Sequence, residues 1–341
     1  MSDIAMIEDT VRRMLADGLT APVLEASEQG KWAGALWERL EKEGLTQPAA
    51  SAEGGAGEGL ETEAAVLRAA AGAALPLPLA ETAIAGWILG QHGLDVPAGP
   101  LTVASFTPRE TLTLEAGHVS GRLEGVAWGR DAAAIVAVAG GKLALLDRKS
   151  AAITHGANLA SEPRDALEFS KASPLAIGGA ANAEALLCRC AAVRALQLAE
   201  AAGRVLEIAV EYAGQRKQFG KAIGGFQAIQ HQLAAAASEV ASARVAAQQA
   251  YLALAARRNM LFACAVAKAR ANDAAGAVAR IGHQVHGAIG FTREYQLHRY
   301  TRRIQSWRGE YGASAYWNRR LGELALGAKE RSLWSIVTSG I

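Results

Sequence analysis

Between Phe226 and Leu254, the residues Phe226, Ile229, Leu233, Ala236, Val240, Ala243, Ala247, Ala250 and Leu254 recur in alternating steps of three and four. A strand would need a period of two, so this stretch reads as one long helix with a continuous seam. The second half of the seam is nearly all alanine, which suits close helix packing. Val278, Ile281 and Val285 continue the habit in a later helix. Turn signals near 214–225, 257–260 and 287–295 divide the region into four long antiparallel helices, a bundle over 173–341.

The first hundred residues are also helical in pattern. Ile4, Ile7, Val11 and Met14 repeat at helical steps before Gly18, and Trp32, Leu36 and Leu40 line a second helix before Gly44. PLPLAETAIAGWILGQHG (76–93) is a proline-initiated helix ending at glycine. The glycine-rich SAEGGAGEGLE (51–61) follows no strand, so it reads as a connection and not as a dinucleotide fingerprint. Between the helical halves the period changes. TLTLEAGHVSGRL (111–123) and AAAIVAVAGGKLALLD (132–147) are β-rich, and Gly140-Gly141 signals a two-residue hairpin. The expected fold is mainly α with a small β-domain. It comprises an N-terminal helical domain (1–100), a reduced antiparallel β-domain (101–172) and a C-terminal four-helix bundle (173–341).

Charge removes some classes of function. Lys+Arg 35 against Asp+Glu 33 gives a net charge of +2, so nothing points to nucleic acid. No apolar run approaches the roughly 18 residues of a membrane span, so no membrane insertion is expected. MSDIAMIEDT carries acids where a signal peptide needs a cationic leader, and three cysteines do not make a disulfide framework. A cytoplasmic protein is expected. No metal site is expected either. Cys188 and Cys190 are two apart and point to different helix faces, and His283 and His286 share a face without an acidic ligand.

Two stretches could carry chemistry. EYAGQRKQFGKAIGGFQAIQHQL (211–233) breaks the bundle with four glycines around Arg216, Lys217, Gln218, Phe219 and Gln227. A guanidinium fork suits a phosphate, an aromatic face suits a purine, and the amides suit ribose or base edges. A bundle turn with a surface cation and a core Phe is the plainer reading of the same residues. HQVHGAIGFTREYQLHRYTRR (283–303) holds Gln284, Gly287, Ala288, Gly290 and Phe291 at a second glycine-broken helix end. Such an end would let a flat ligand approach, and a helix cap accounts for it equally.

Arg216-Lys217-Gln218-Phe219-Gly220, Phe226-Gln227 and Gln284 to Phe291, followed by Glu294-Tyr295, together resemble the acyl-CoA dehydrogenase family. The order of helical domain, β-domain and bundle resembles it too. The resemblance implies FAD as cofactor, held mainly by a neighbouring subunit and reached by Arg216, Gln218, Phe219, Gln227, Gln284, Gly287 and Ala288. It also implies an acyl-CoA substrate, α,β-desaturation, and an electron-transfer flavoprotein or similar acceptor.

The resemblance fails at the catalytic base. Gapless alignment puts Tyr311 at the usual glutamate position before Gly312, and Glu310 stands one residue early. One residue turns a helical side chain by about 100°. The alternative base position, on the preceding helix, falls on Cys190. The loop that wraps flavin and substrate in the family is replaced by TVASFTPRETLTLEAG, and Trp128 is the nearest counterpart of the flavin-side aromatic, with a core or strand role as its simpler reading. Short family members of this kind occur in α2β2 assemblies, notably in steroid side-chain degradation. The expectation is a subunit of such a heterotetramer whose longer partner supplies the base. A homo-oligomeric enzyme using Glu310 and a non-catalytic assembly subunit without flavin are the rivals.

Overall fold

The computed structural model describes residues 3–49, 58–104, 112–328 and 332–339. The chain forms two compact units, Met1–Cys190 and Ala191–Ile341.

In the first unit, α1 (Asp3–Gly18) buries Val11, Met14 and Leu15 and packs on α4 (Glu58–Gly72). Glu8 of α1 accepts from both Arg12 and Arg68. The short α2 (Ala21–Glu28) starts on a proline, and α3 (Gly34–Lys42) buries Leu36, Trp37 and Leu40. Trp32, expected on that helical face, precedes the helix and is 37% exposed, and Trp37 takes the core position instead. A break at Ala33, which has non-helical backbone, separates the two tryptophans. The helix α5 (Leu79–Gln91) is buried almost all round. The 51–61 connection falls largely outside the described residues.

The β-region supplies β1 (Leu101–Val103), β2 (Thr113–Glu115), β3 (His118–Ala127), β4 (Ala134–Ala139), β5 (Lys142–Asp147), β6 (Ala151–Thr154), β7 (Arg164–Ala172) and β8 (Ala176–Ala180). They form two four-stranded sheets, ordered β1-β4-β5-β8 and β2-β3-β7-β6. Val119, Leu123, Val126, Ile135, Ala137, Leu146, Leu167 and Phe169 pack into one core shared by both sheets. Gly140 and Gly141, both at positive φ, close the β4–β5 hairpin as expected.

One expectation is corrected: the β-domain is mixed, because β1 pairs with β4 in parallel. Between β1 and β4 in sequence lie β2 and β3 of the second sheet, and a parallel pair needs such a long connection. The sheets also run to Ala180, past the boundary drawn at 172.

The helix α6 (Ala183–Gln215) starts in the first unit and continues into the second. Its Arg189 forms a fully buried ion pair with Glu63 and lies over the Trp87 ring. The second unit adds a two-strand hairpin, β9 (Lys217–Gln218) and β10 (Lys221–Ala222), then α7 (Gln227–Ala255) and α8 (Met260–His286). Ala236, Val240, Ala243, Ala247, Ala250 and Leu254 are buried in α7, which is the later part of the seam read from the sequence. Its first members, Phe226, Ile229 and Leu233, are half-buried.

The fourth long helix is also corrected. It is broken into α9 (Leu297–Trp307) and α10 (Ser314–Gly327), with α11 (Leu333–Ser339) beyond. Tyr311 and Gly312, both at positive φ, make the break. Cys188, Cys190 and Cys264 are buried, and no disulfide joins them. Among the described residues no helix is long and apolar enough to cross a membrane, and no group of His, Cys, Asp and Glu is arranged to hold a metal.

Candidate functional site

The glycines of 211–233 do two jobs. Phe219 (φ +51) and Gly220 (φ +79) form the two-residue turn of the β9–β10 hairpin, where positive φ is needed at both positions. Gly224 lies against the Ala213 carbonyl, where a side chain would crowd the backbone. The hairpin tip therefore displays Phe219, which is 92% exposed. Its ring meets Phe226 edge-on at 6.2 Å, and the Lys221 ammonium lies 4.4 Å from the Phe226 ring centre.

The second stretch ends α8 beside the first. Ala209 and Ala213 of α6 pack with Val285, Tyr212, Ile223, Ile229, Leu233 and Ile281 into one cluster. Tyr212 stacks on His286 at 4.4 Å between ring centres. His286 Nδ1 lies 2.7 Å from the Gly282 carbonyl, which can only accept, so Nδ1 carries the proton and Nε2 is left to accept from the Tyr295 hydroxyl at 3.3 Å. Burial pushes both His283 and His286 below the ordinary histidine range, so both rings are neutral at pH 7. They are packing residues: His283 stacks on Phe291 at 4.3 Å. Beyond them the chain turns at Gly287 (φ +63), where nothing lies within 4 Å of a would-be Cβ.

Two predicted segments thus meet at one end of the second unit. Arg216, Gln218, Phe219, Gln227, Gln284, Gly287 and Ala288 are all exposed. The side chains of Arg216, Gln218, Gln227 and Gln284 make no hydrogen bond or ion pair among the described residues. A guanidinium and three amides thus offer donors with no side-chain hydrogen bond among the described residues, beside an exposed aromatic ring. An anionic, flat ligand fits that set.

The region of the expected base is built differently. Glu310 accepts from Arg194 Nη2 at 2.8 Å, with the Arg194 side chain 3% and the Glu310 side chain 21% exposed. Arg194 also donates to Gln197 at 2.6 Å, and its guanidinium lies 5.2 Å and 5.3 Å from the ring centres of Trp307 and Tyr311. Tyr311, at the usual base position, is buried beside it. Sequence reasoning missed Arg194 and Lys268. The available signal was a cation set among small and apolar residues of a helix, Arg194 in CAAVRALQ and Lys268 beside Arg270 in AVAKARAN. Cys190, the other aligned base position, is fully buried. Trp128 is buried at φ +57 and meets Trp32 edge-on at 6.3 Å, a core role within the first unit. Residues 105–111 of the segment that replaces the family's wrapping loop lie outside the described residues.

A helical region, a two-sheet β-region and a long helical bundle, with this pair of glycine-broken segments at one end, define the architecture of the acyl-CoA dehydrogenases. Residues 178–323 match the family model for the acyl-CoA dehydrogenase C-terminal domain. The acyl-CoA dehydrogenase FadE34 of Mycobacterium tuberculosis is 33% identical over 297 residues, covering 82% of this chain and 40% of that protein. The acyl-CoA dehydrogenase IpdE2 of Mycolicibacterium smegmatis is 29% identical, covering 73% of this chain and 74% of its own. A solved structure described as a Tcur3481-Tcur3483 steroid ACAD variant superposes with a TM-score of 0.87 at 26% identity, over 96% of this chain and 99% of that one. The ChsE4-ChsE5 complex of Mycobacterium tuberculosis shares the fold, with a TM-score of 0.82 at 22% identity over 97% and 99% of the two chains. The chain belongs to the acyl-CoA dehydrogenase family. It spans about two-fifths of the length of FadE34. FAD is the cofactor of this family, and the unpartnered donors at the bundle end fit its phosphates and adenine.

Proposed function

We propose that this chain is one subunit of a heteromeric, FAD-dependent acyl-CoA dehydrogenase that desaturates an acyl-CoA thioester at its α,β-bond. The observation that carries the reading is the contrast between two places in the second unit. The donors suited to FAD stand exposed and unpartnered, while the carboxylate nearest the base position is committed to Arg194. Arg216 holds phosphate, Phe219 covers adenine, and Gln218, Gln227 and Gln284 take the remaining polar edges, with Gly287 and Ala288 letting the ligand approach the backbone. When bound, FAD supplies the hydride acceptor.

The α-proton needs a base near its own acidity range, and a carboxylate in an apolar pocket is the usual solution. Glu310 is held instead as the counter-charge of a buried guanidinium, so a longer family member supplies the base. Two relatives support the heteromer: the ChsE4-ChsE5 structure is a complex of two different chains, and the Tcur3481-Tcur3483 protein is described as a steroid ACAD. The substrate class follows as an acyl-CoA of fatty or steroid side-chain origin. Electrons leave to an electron-transfer flavoprotein or an equivalent acceptor. Three buried cysteines outside any disulfide suit the cytoplasm.

Co-expression with a longer family member, followed by purification and flavin quantification, tests the reading. The expected result is a yellow heterotetramer with acyl-CoA-dependent reduction of its flavin. In Arg216→Ala the flavin content falls with assembly intact. Full flavin content in that variant removes Arg216 from the site, and a colourless complex removes the shared-flavin reading altogether.

A further inference from the structure

The break between α9 and α10 is built around a lysine that no part of the flavin site uses. The last carbonyls of a helix have no partner inside it and must find donors elsewhere. Here they find Lys268, which is fully buried on α8. Its Nζ lies 3.4 Å from the Trp307 carbonyl, 3.3 Å from that of Arg308 and 3.0 Å from that of Gly312. Asn272, one turn along α8, accepts from the same ammonium at 2.7 Å and donates to the Gly312 carbonyl at 3.3 Å.

Other contacts hold the same turn in place. Arg308 Nε donates to the Asn272 carbonyl at 2.8 Å, and the Ser314 hydroxyl reaches Asp273 at 2.7 Å. Trp317 Nε1 donates to the Tyr311 carbonyl at 3.0 Å, and its indole leaves no space for a side chain at Gly312. That fixes Tyr311 at φ +53, a conformation its own side chain disfavours.

We propose that Lys268 is the positioning residue of this turn: its ammonium gathers the carbonyls of Trp307, Arg308 and Gly312 and thereby sets Glu310 on Arg194 and Tyr311 against the same guanidinium. The charged groups facing it are Arg194 from α6 and Arg308 and Glu310 from the turn. Burial, then Arg194 and Arg308, push Lys268 well below the ordinary lysine range, while Glu310 opposes them. Four oxygen acceptors around one nitrogen favour the ammonium, which offers three N–H groups where a neutral amine offers two. A packing role alone would need none of these oxygens. Lys268 matters to the reaction only through where it leaves Glu310: with the clamp closed, that carboxylate is spent on a cation.

Lys268→Met keeps the length of the side chain and removes every donor. The expected result is retained far-UV helix signal with loss of the near-UV bands of Trp307, Trp317 and Tyr311. In urea unfolding of the full chain, Lys268→Met and Glu310→Gln are coupled by about tenfold in the folding constant. Unchanged near-UV bands, or effects that add to within about a factor of two, overturn the proposal. Should Lys268→Met not fold, Asn272→Ala loosens the clamp while keeping the charge, and its cycle with Glu310→Gln is judged by the same limits. All readouts are taken on the chain without flavin or partner.

Discussion

Glu310→Gln separates a counter-ion from a catalytic base. Removing one partner of a fully buried ion pair costs about 3–5 kcal/mol, because the remaining charge is left without compensation. Arg194 is 3% exposed, so it feels nearly all of that penalty, but the Glu310 side chain is 21% exposed and a glutamine still accepts a hydrogen bond. Those two facts reduce the figure to about 2–3 kcal/mol. For a unit of this size one kcal/mol moves the melting temperature by about 2–4 °C, so a fall of about 4–12 °C is expected. Differential scanning fluorimetry on the chain, alongside turnover of the assembled enzyme, reads both quantities. The expected outcome is a clear loss of thermal stability with per-flavin turnover retained. An unchanged melting temperature with abolished turnover would refute the reasoning and make Glu310 the base.

Three further outcomes follow from the structure. Glu63→Gln strands Arg189 in the first unit and is expected to cost about 3–5 kcal/mol in urea unfolding, and Glu63→Leu combined with Arg189→Met recovers most of it. A double variant no better than the single would mean the pair is not acting as a pair. His283 and His286 have folded-state values held below the usual 6.5 by burial, so the folded state binds fewer protons than the unfolded one. The stability they contribute is present above pH 6.5 and is lost as pH falls below it, which melting temperatures between pH 7.5 and 5 would show, with a flatter profile in His286→Gln. Phe219→Ala leaves the free chain within about 0.5 kcal/mol of its starting stability, since the ring is exposed. It is expected to lower flavin content in the assembly, and undiminished flavin would take Phe219 out of the site.

Local patterns were readable from the sequence and distant ones were not. The α7 seam and the Gly140-Gly141 hairpin are decided by residues within a few positions of each other, and both stand as expected. The parallel pairing of β1 with β4 joins strands separated in sequence by two strands of the other sheet, for which no local signal exists. The interruption of the fourth helix is set by Lys268, about forty positions upstream of the turn it caps. Trp32 and Trp37 both suit a helical face by type, and only the backbone break before Gly34 decides between them. The two glycine-broken segments were legible as departures from the bundle because their glycines, amides and exposed aromatic contribute little to the core. The commitment of Glu310 was not, because it depends on Arg194 more than a hundred residues away.

The alanines between α7 and α8 carry one more consequence. Ala243, Ala247 and Ala250 face a helix that buries Ala265, Ala267, Ala271, Ala274 and Ala275. Alanine loses no rotamer freedom on burial, so this contact orders the chain at little entropic cost. Side chains of one size, however, are rungs of equal spacing, and a slip by one turn would meet nearly the same surface. Arg270 breaks that equivalence: it pairs with Glu239 and donates to the Ser242 hydroxyl at 2.8 Å, contacts that only one alignment of the helices can make. A surface-facing charge therefore supplies the addressing that the core itself leaves unwritten.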